Sequence, residues 1–123
     1  MAGKLKFSTT EFPDHVLVAV TGEIGVAAED QFREALTSAL SQETPCLVVD
    51  LAEVPFMASA GVGVLMGIRA VLAARGASLV LSAPRPAVAR VLEVTGAGDL
   101  IPVAEDPAKA ATECEPEQPQ PAG

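Results

Sequence analysis

The chain reads as an α/β fold: a small mixed β-sheet with helices packed against it. Three observations predict this. Short aliphatic runs, His15-Val-Leu-Val-Ala-Val20, Leu47-Val-Val-Asp-Leu51 and Ser78-Leu-Val-Leu81, have the length and composition of strands. Between them lie stretches whose apolar residues recur at helical spacing, which makes strand–helix–strand units with parallel pairing and right-handed crossovers. Only the opening pair of strands, joined across Pro13-Asp14-His15, reads as a hairpin and makes the sheet mixed.

Taken in order, residues 4–9 form a first, weak strand, and the run from His15 pairs back on it. Thr21-Gly22-Glu23-Ile24-Gly25 ends that strand. Phe32, Ala35, Leu36, Ala39 and Leu40 make the apolar stripe of the first helix, with Glu29, Asp30, Arg33 and Glu34 off it. Pro45 precedes the central strand, which is apolar except for Asp50 and suits burial on both faces. A helix over 60–75 follows, with Val62, Leu65, Met66 and Leu72 toward the core and Gly76 as its stop. After the strand from Ser78, Pro84 and Pro86 start a helix using Val88, Val91 and Leu92 that Gly96 ends. Leu100-Ile-Pro-Val103 is a last strand at an edge, because proline lacks the ladder donor. A short helix runs from Pro107 to Thr112. This gives one domain over 1–112. An acidic, proline-rich tail over 113–123 should be disordered and dispensable for folding.

Composition narrows function. With 123 residues, half of them hydrophobic, the chain can bury its own core. A formal charge of −8 argues against nucleic acid as a partner and against an anionic membrane surface. No apolar run is long enough to span a bilayer and no signal-peptide pattern opens the chain, so it reads as soluble and cytoplasmic. Cys46 opens a buried strand while Cys114 falls in the tail, so no disulfide is expected between them, and their spacing makes no metal site.

No catalytic constellation assembles. His15 is the single histidine and reads as structural; without it neither a Ser-His-Asp nor a Cys-His set exists. Asp50 and Glu53 read as strand-end carboxylates. Gly61, Gly63 and Gly67 lie inside a helix and do not have the dinucleotide-binding spacing. The expectation is a non-enzyme without metal or cofactor.

One residue stands out. Ser59 lies where the helix after the central strand begins. Its hydroxyl suits an N-cap, and the same helix start also suits a phosphate on that hydroxyl. The helix glycines cost about 1 kcal/mol each relative to alanine, and make sense where a partner or another backbone comes close. Val64, Ile68 and Val71 recur at helical spacing off the core stripe, which predicts a second, partner-facing apolar stripe.

From about Phe7 to Val103 the chain resembles the STAS domains of bacterial anti-sigma factor antagonists. The likeness rests on Thr21-Gly-Glu-Ile24, Leu47-Val-Val-Asp-Leu51, Val54-Pro-Phe-Met57, Ser59-Ala-Gly-Val-Gly-Val-Leu65, Arg75-Gly76 and Val91-Leu-Glu-Val-Thr-Gly96, in the family's order and spacing. It implies a STAS fold and a domain that binds an anti-sigma factor of the kinase ATPase fold, frees a sigma factor, and is switched off when one serine is phosphorylated. Ser59 matches that phosphoacceptor. Ala58 stands where the motif Asp-Ser-Ser/Thr-Gly has its aspartate, Ala60 where it has its second hydroxyl, and Gly25 where the family tends to carry an aspartate. The implied partner surface comprises Glu23, Ala58, Ser59, Ala60, Gly61 and Gly63, continued by Val64, Ile68 and Val71, on a monomer or weak homodimer. The resemblance also implies an alternative: a non-phosphorylated interaction subunit of a lipid-transport complex or a sensory scaffold.

Overall fold

Alternating side chains along the central strands divide the molecule into two unequal layers. The structure, a computed structural model, describes residues 5–41 and 43–114. Its strands are β1 (Lys6–Phe12), β2 (His15–Thr21), β3 (Cys46–Glu53), β4 (Ser78–Ser82) and β5 (Val103–Ala104). The helices are α1 (Glu29–Ala39), α2 (Ser59–Ala74), α3 (Pro86–Thr95) and α4 (Pro107–Glu113), with single 3-10 turns at Val26–Ala28 and Ala97–Asp99. The strands lie side by side in chain order; only β1 and β2 are antiparallel.

The hairpin forms at Pro13-Asp14, with Phe12 opposite His15. The Phe12 and His15 rings stack with centroids 4.5 Å apart, and His15 is buried, in keeping with a structural role. Its Nδ1 lies 2.8 Å from the Asp14 carboxylate, and this hydrogen bond holds Asp14 below its usual pKa. The small stabilisation is present above about pH 4 and is lost as acid titrates Asp14 through its lowered value. At the other edge, β5 begins later than the run Leu100–Val103. Pro102 contributes only its carbonyl, which accepts from the Leu81 amide at 2.9 Å. Because β5 pairs parallel with β4, the fold contains three strand–helix–strand units.

On one face Val16, Val18, Val20, Leu47, Val49, Leu51, Leu79 and Leu81 meet Phe32 and Leu36 of α1, Val62, Leu65 and Leu72 of α2, and Val88 and Leu92 of α3. This is the main core. On the other face Cys46, Val48 and Val80 meet Ala104, Ala110 and Cys114, with Leu17 half-buried beside them.

Two expectations are corrected here. Cys46 and Cys114 are joined in a disulfide with Cα atoms 5.6 Å apart. Asp106 caps α4 by accepting from the Lys109 amide at 2.8 Å, and Pro107 opens the helix, which carries the chain back beneath the sheet. Glu113 therefore belongs to α4 and Cys114 is buried, so a boundary at 112 falls one residue too early for the helix and two for the bond. A cut after Thr112 removes half of a disulfide and is not neutral. The rest of the proposed tail, 115–123, lies outside the described residues.

The second correction concerns α2. Val64 is 2% and Ile68 5% exposed, so both belong to the main core. The helix crosses the middle of the layer and is covered on more than one side, by α1 and α3 as well as the sheet, so its apolar face is wider than a single stripe. Of the predicted outward stripe only Val71 is exposed, at 50%. Ile68→Glu should therefore destabilise the domain on the order of 4 kcal/mol by burying an unpaired carboxylate. The measurement is a denaturant melt; a near wild-type midpoint would put Ile68 back on the surface.

Candidate functional site

The pairing of β2 with β3 does not stop where the strands end. After a register shift between Ala19 and Thr21, the loops that follow remain hydrogen-bonded. The Gly22 amide donates to the Glu53 carbonyl at 3.1 Å, Ile24 N–H to Phe56 O at 2.9 Å, and Ala58 N–H to Ile24 O at 2.8 Å. Ile24 and Met57 pair as an isolated parallel bridge, and both side chains are fully buried. Two loops at the carboxyl end of the parallel strands are thus zipped into one platform, at the end of the sheet where such folds place their sites.

The platform launches α2. Ala58 occupies the N-cap in an extended conformation (φ −78°, ψ 162°), and Ser59 is the first helical residue. Ser59 is therefore not the cap; no side chain caps this helix. Its side chain is exposed; the Gly61 amide donates back to the Ala58 carbonyl at 2.9 Å, while the Ser59 and Ala60 amides ahead of it have no carbonyl one turn behind them. Gly61 is required by contact: a Cβ there would lie 2.8 Å from Met57 Cγ and 2.9 Å from Ile24 Cγ2. The first turn of α2 rests directly on the Ile24–Met57 clamp. Gly63 is different, being exposed with nothing within 4 Å of a would-be Cβ.

Of the residues named from the sequence, Glu23, Ser59 and Gly63 are exposed here, Ala58 and Ala60 are half-buried, and Gly61 is buried beneath them. Val71 lies more than three turns along α2, roughly 18 Å from Ser59, and belongs to a different part of the surface. Val26 and Phe56 were missed. They are 72% and 46% exposed, on the two zipped loops that flank the start of α2. The signal was a large apolar residue directly after Gly25 and another directly after Pro55.

The titratable groups named from the sequence are not brought together at this platform. His15 starts β2 at the opposite end of the sheet, roughly 20 Å from the Ser59 end by strand length. Asp50 accepts from the Ala52 amide at 3.0 Å, and Glu53 lies 3.7 Å from Arg85, whose Nε donates to Ala52 O; these groups hold the strand end. Among the described residues no cluster of metal-ligating side chains occurs, and no helix is long and apolar enough to cross a membrane.

Comparisons with known proteins bear on this geometry. The STAS domain family model matches residues 6–110. The anti-sigma-B factor antagonist of Listeria monocytogenes is 36% identical over 90 residues, covering 73% of this chain and 79% of that protein. Among solved structures, an anti-sigma factor antagonist from Mycobacterium paratuberculosis superposes with a TM-score of 0.82 at 22% identity, covering 93% of this chain and 98% of that one. The Bacillus cell fate determinant SpoIIAA in its phosphorylated form gives 0.67 at 23% identity, covering 88% and 98%.

Three stability outcomes check the site. Gly63→Ala should stabilise the domain by about 1 kcal/mol through helix propensity, whereas Gly61→Ala should destabilise it by about 1–2 kcal/mol, overpacking outweighing that gain. Ala58→Asp should add about 1 kcal/mol by supplying the missing cap. Thermal melts of the three variants read all of this; Gly61→Ala melting above Gly63→Ala would contradict the clamp.

Proposed function

The chain belongs to the STAS domain family, and from that premise we propose that it is an anti-sigma factor antagonist switched at Ser59. Its partner is an anti-sigma factor of the kinase ATPase fold, and binding that partner frees a sigma factor. The protein acts in the cytoplasm as a non-enzymatic binding module, a monomer or weak homodimer. The observation that carries this reading is the exposed Ser59 at the uncapped start of α2, on a rigid platform between Val26 and Phe56. The relatives' names support the role, and SpoIIAA's phosphorylated form supports a phosphate switch within this fold.

The physics of the switch follows from the geometry. Val26 and Phe56 are the apolar anchors that a partner desolvates, with Glu23 and Gly63 at the rim. Gly63 carries its helix cost because the partner's backbone passes close to it. The kinase transfers the γ-phosphoryl group of ATP to Ser59 Oγ, adding roughly −1.5 to −2 charges at neutral pH. The start of α2 accommodates this charge without unfolding, by about 0.3–2 kcal/mol of favourable interaction. At the interface the same charge is desolvated, and a loss of a few kcal/mol lowers affinity by tenfold for each 1.4 kcal/mol.

The test titrates the protein against its kinase-type anti-sigma factor, then adds ATP and maps phosphate by mass spectrometry. Phosphate on Ser59, with loss of binding, is expected. Phe56→Ala should weaken binding by tenfold or more, and Gly63→Ala should weaken it while raising the melting temperature. Ser59→Ala should bind normally and change stability by less than about 0.5 kcal/mol, since no cap is lost. Recovery of a transporter ATPase in place of an anti-sigma factor from native cells would overturn the reading in favour of an interaction subunit of another assembly.

A further inference from the structure

The disulfide sits apart from everything the main core needs. Cys46 is the first residue of β3 and Cys114 follows α4, 68 positions later. Neither sulfur belongs to the main core; both lie in the small cluster on the other face. The helix tied down by this bond is weakly held otherwise. α4 has seven residues, too short to persist alone, and Ala110 is its single fully buried side chain. Beneath it lie Val48 and Val80, on the two central parallel strands, with Leu17 alongside. The bond is also remote from Ser59, since the eight residues of β3 separate Cys46 from the platform, roughly 25 Å of strand.

We propose that Cys46–Cys114 is a reversible thiol–disulfide site, a latch that a cytosolic dithiol reductant opens to release α4 from the sheet. This rests on the proposed function in one respect: a partner that controls a sigma factor works in a compartment kept reducing, where disulfides are transient or sensing. The step balances as ordinary exchange. A thiolate of the reductant attacks Cys114 Sγ, the sulfur at the C-terminal end of α4, and the S–S bond breaks with Cys46 Sγ as leaving thiolate. The reductant's second thiolate attacks its own sulfur in the mixed disulfide and expels Cys114. Two electrons pass to the protein, the reductant leaves as a disulfide, and its two thiol protons end on the two cysteines. With the latch open, α4 loses its tether, and the apolar strip of Val48, Val80 and Leu17 is uncovered. The main core and the Ser59 platform stay intact, because their buried residues form a cluster separate from that of the bond, on the other face of the sheet.

The test is hydrogen exchange by mass spectrometry on the full chain, oxidised and then treated with dithiothreitol. No partner is needed, so the result stands whether or not an anti-sigma factor binds. The oxidised protein should be two hydrogens lighter than the reduced one. On reduction the amides of residues 108–113 should exchange at least tenfold faster, while those of β2, β3 and α2 keep their protection, and reoxidation should restore the first state. Cys114→Ala should show the open pattern without reductant. Unchanged protection of α4 after reduction would overturn the latch. So would global loss of protection in both the reduced protein and the variant, because the bond would then be a staple holding the whole fold. A protein that remains a dithiol under air and oxidised glutathione would overturn it as well.

Discussion

The structure depends on one close approach, the first turn of α2 lying on the side chains of Ile24 and Met57. Gly61 permits it, since a Cβ would stand under 3 Å from both. The contact can exist only because the loops after β2 and β3 stay zipped, with Ile24 donating to Phe56 and accepting from Ala58. It fixes where α2 starts, and therefore where Ser59 is displayed. It also fixes the direction of the helix, and with it the seating of Leu65, Ile68 and Leu72 in the core. A site of flexible loops would not hold a serine at a constant position; a parallel pair extended past its strands does.

β3 then serves both layers. Leu47, Val49 and Leu51 face α1, α2 and α3, while Cys46 and Val48 face α4. Its carboxyl end leads into the Ser59 platform and its amino end carries the disulfide. The period-2 alternation of a strand buried on both faces thus places two chemically different features at opposite poles of one rigid element.

Much of this was legible in the sequence because the signals are local. Strand runs, the Phe32–Leu36 stripe, Gly76 and Gly96 as helix stops, and Pro86 at a helix start each report a short-range preference. The position of Ser59 at the start of α2 followed from the strand–turn–helix order. What failed to show depends on contacts made at a distance. Val64 and Ile68 look outward on a helical wheel drawn for a surface helix, but α2 is enclosed by α1, α3 and the sheet, and no local pattern encodes that enclosure. Cys114 reads as tail because the acidic, proline-rich residues after it dominate the composition, while its burial is decided by where the Asp106 cap and Pro107 turn the chain. Val26 and Phe56 were passed over because exposed apolar residues are common one at a time; their meaning comes from the backbone hydrogen bonds that bring two loops together.

The departures from the family motif now have a physical sense. An aspartate at position 58 would cap α2, satisfying its first amides and partly neutralising its dipole. With Ala58 there the helix start remains uncapped and its electrostatic preference for an anion is unmet. Gly25, at φ −85° with open space around a would-be Cβ, is not demanded by backbone or packing either, so an aspartate would fit there and is simply missing. Both substitutions remove negative charge from the surroundings of Ser59. A phosphate placed on it would meet less repulsion and more unsatisfied N–H groups than in the acidic version of the motif. A kinase acting on Ser59, as proposed, would have two carboxylates fewer by which to orient the hydroxyl, while a phosphorylated state would gain stability. For a phosphate switch the two changes act in opposite senses: slower entry into the modified state, and a modified state that the domain itself holds more firmly.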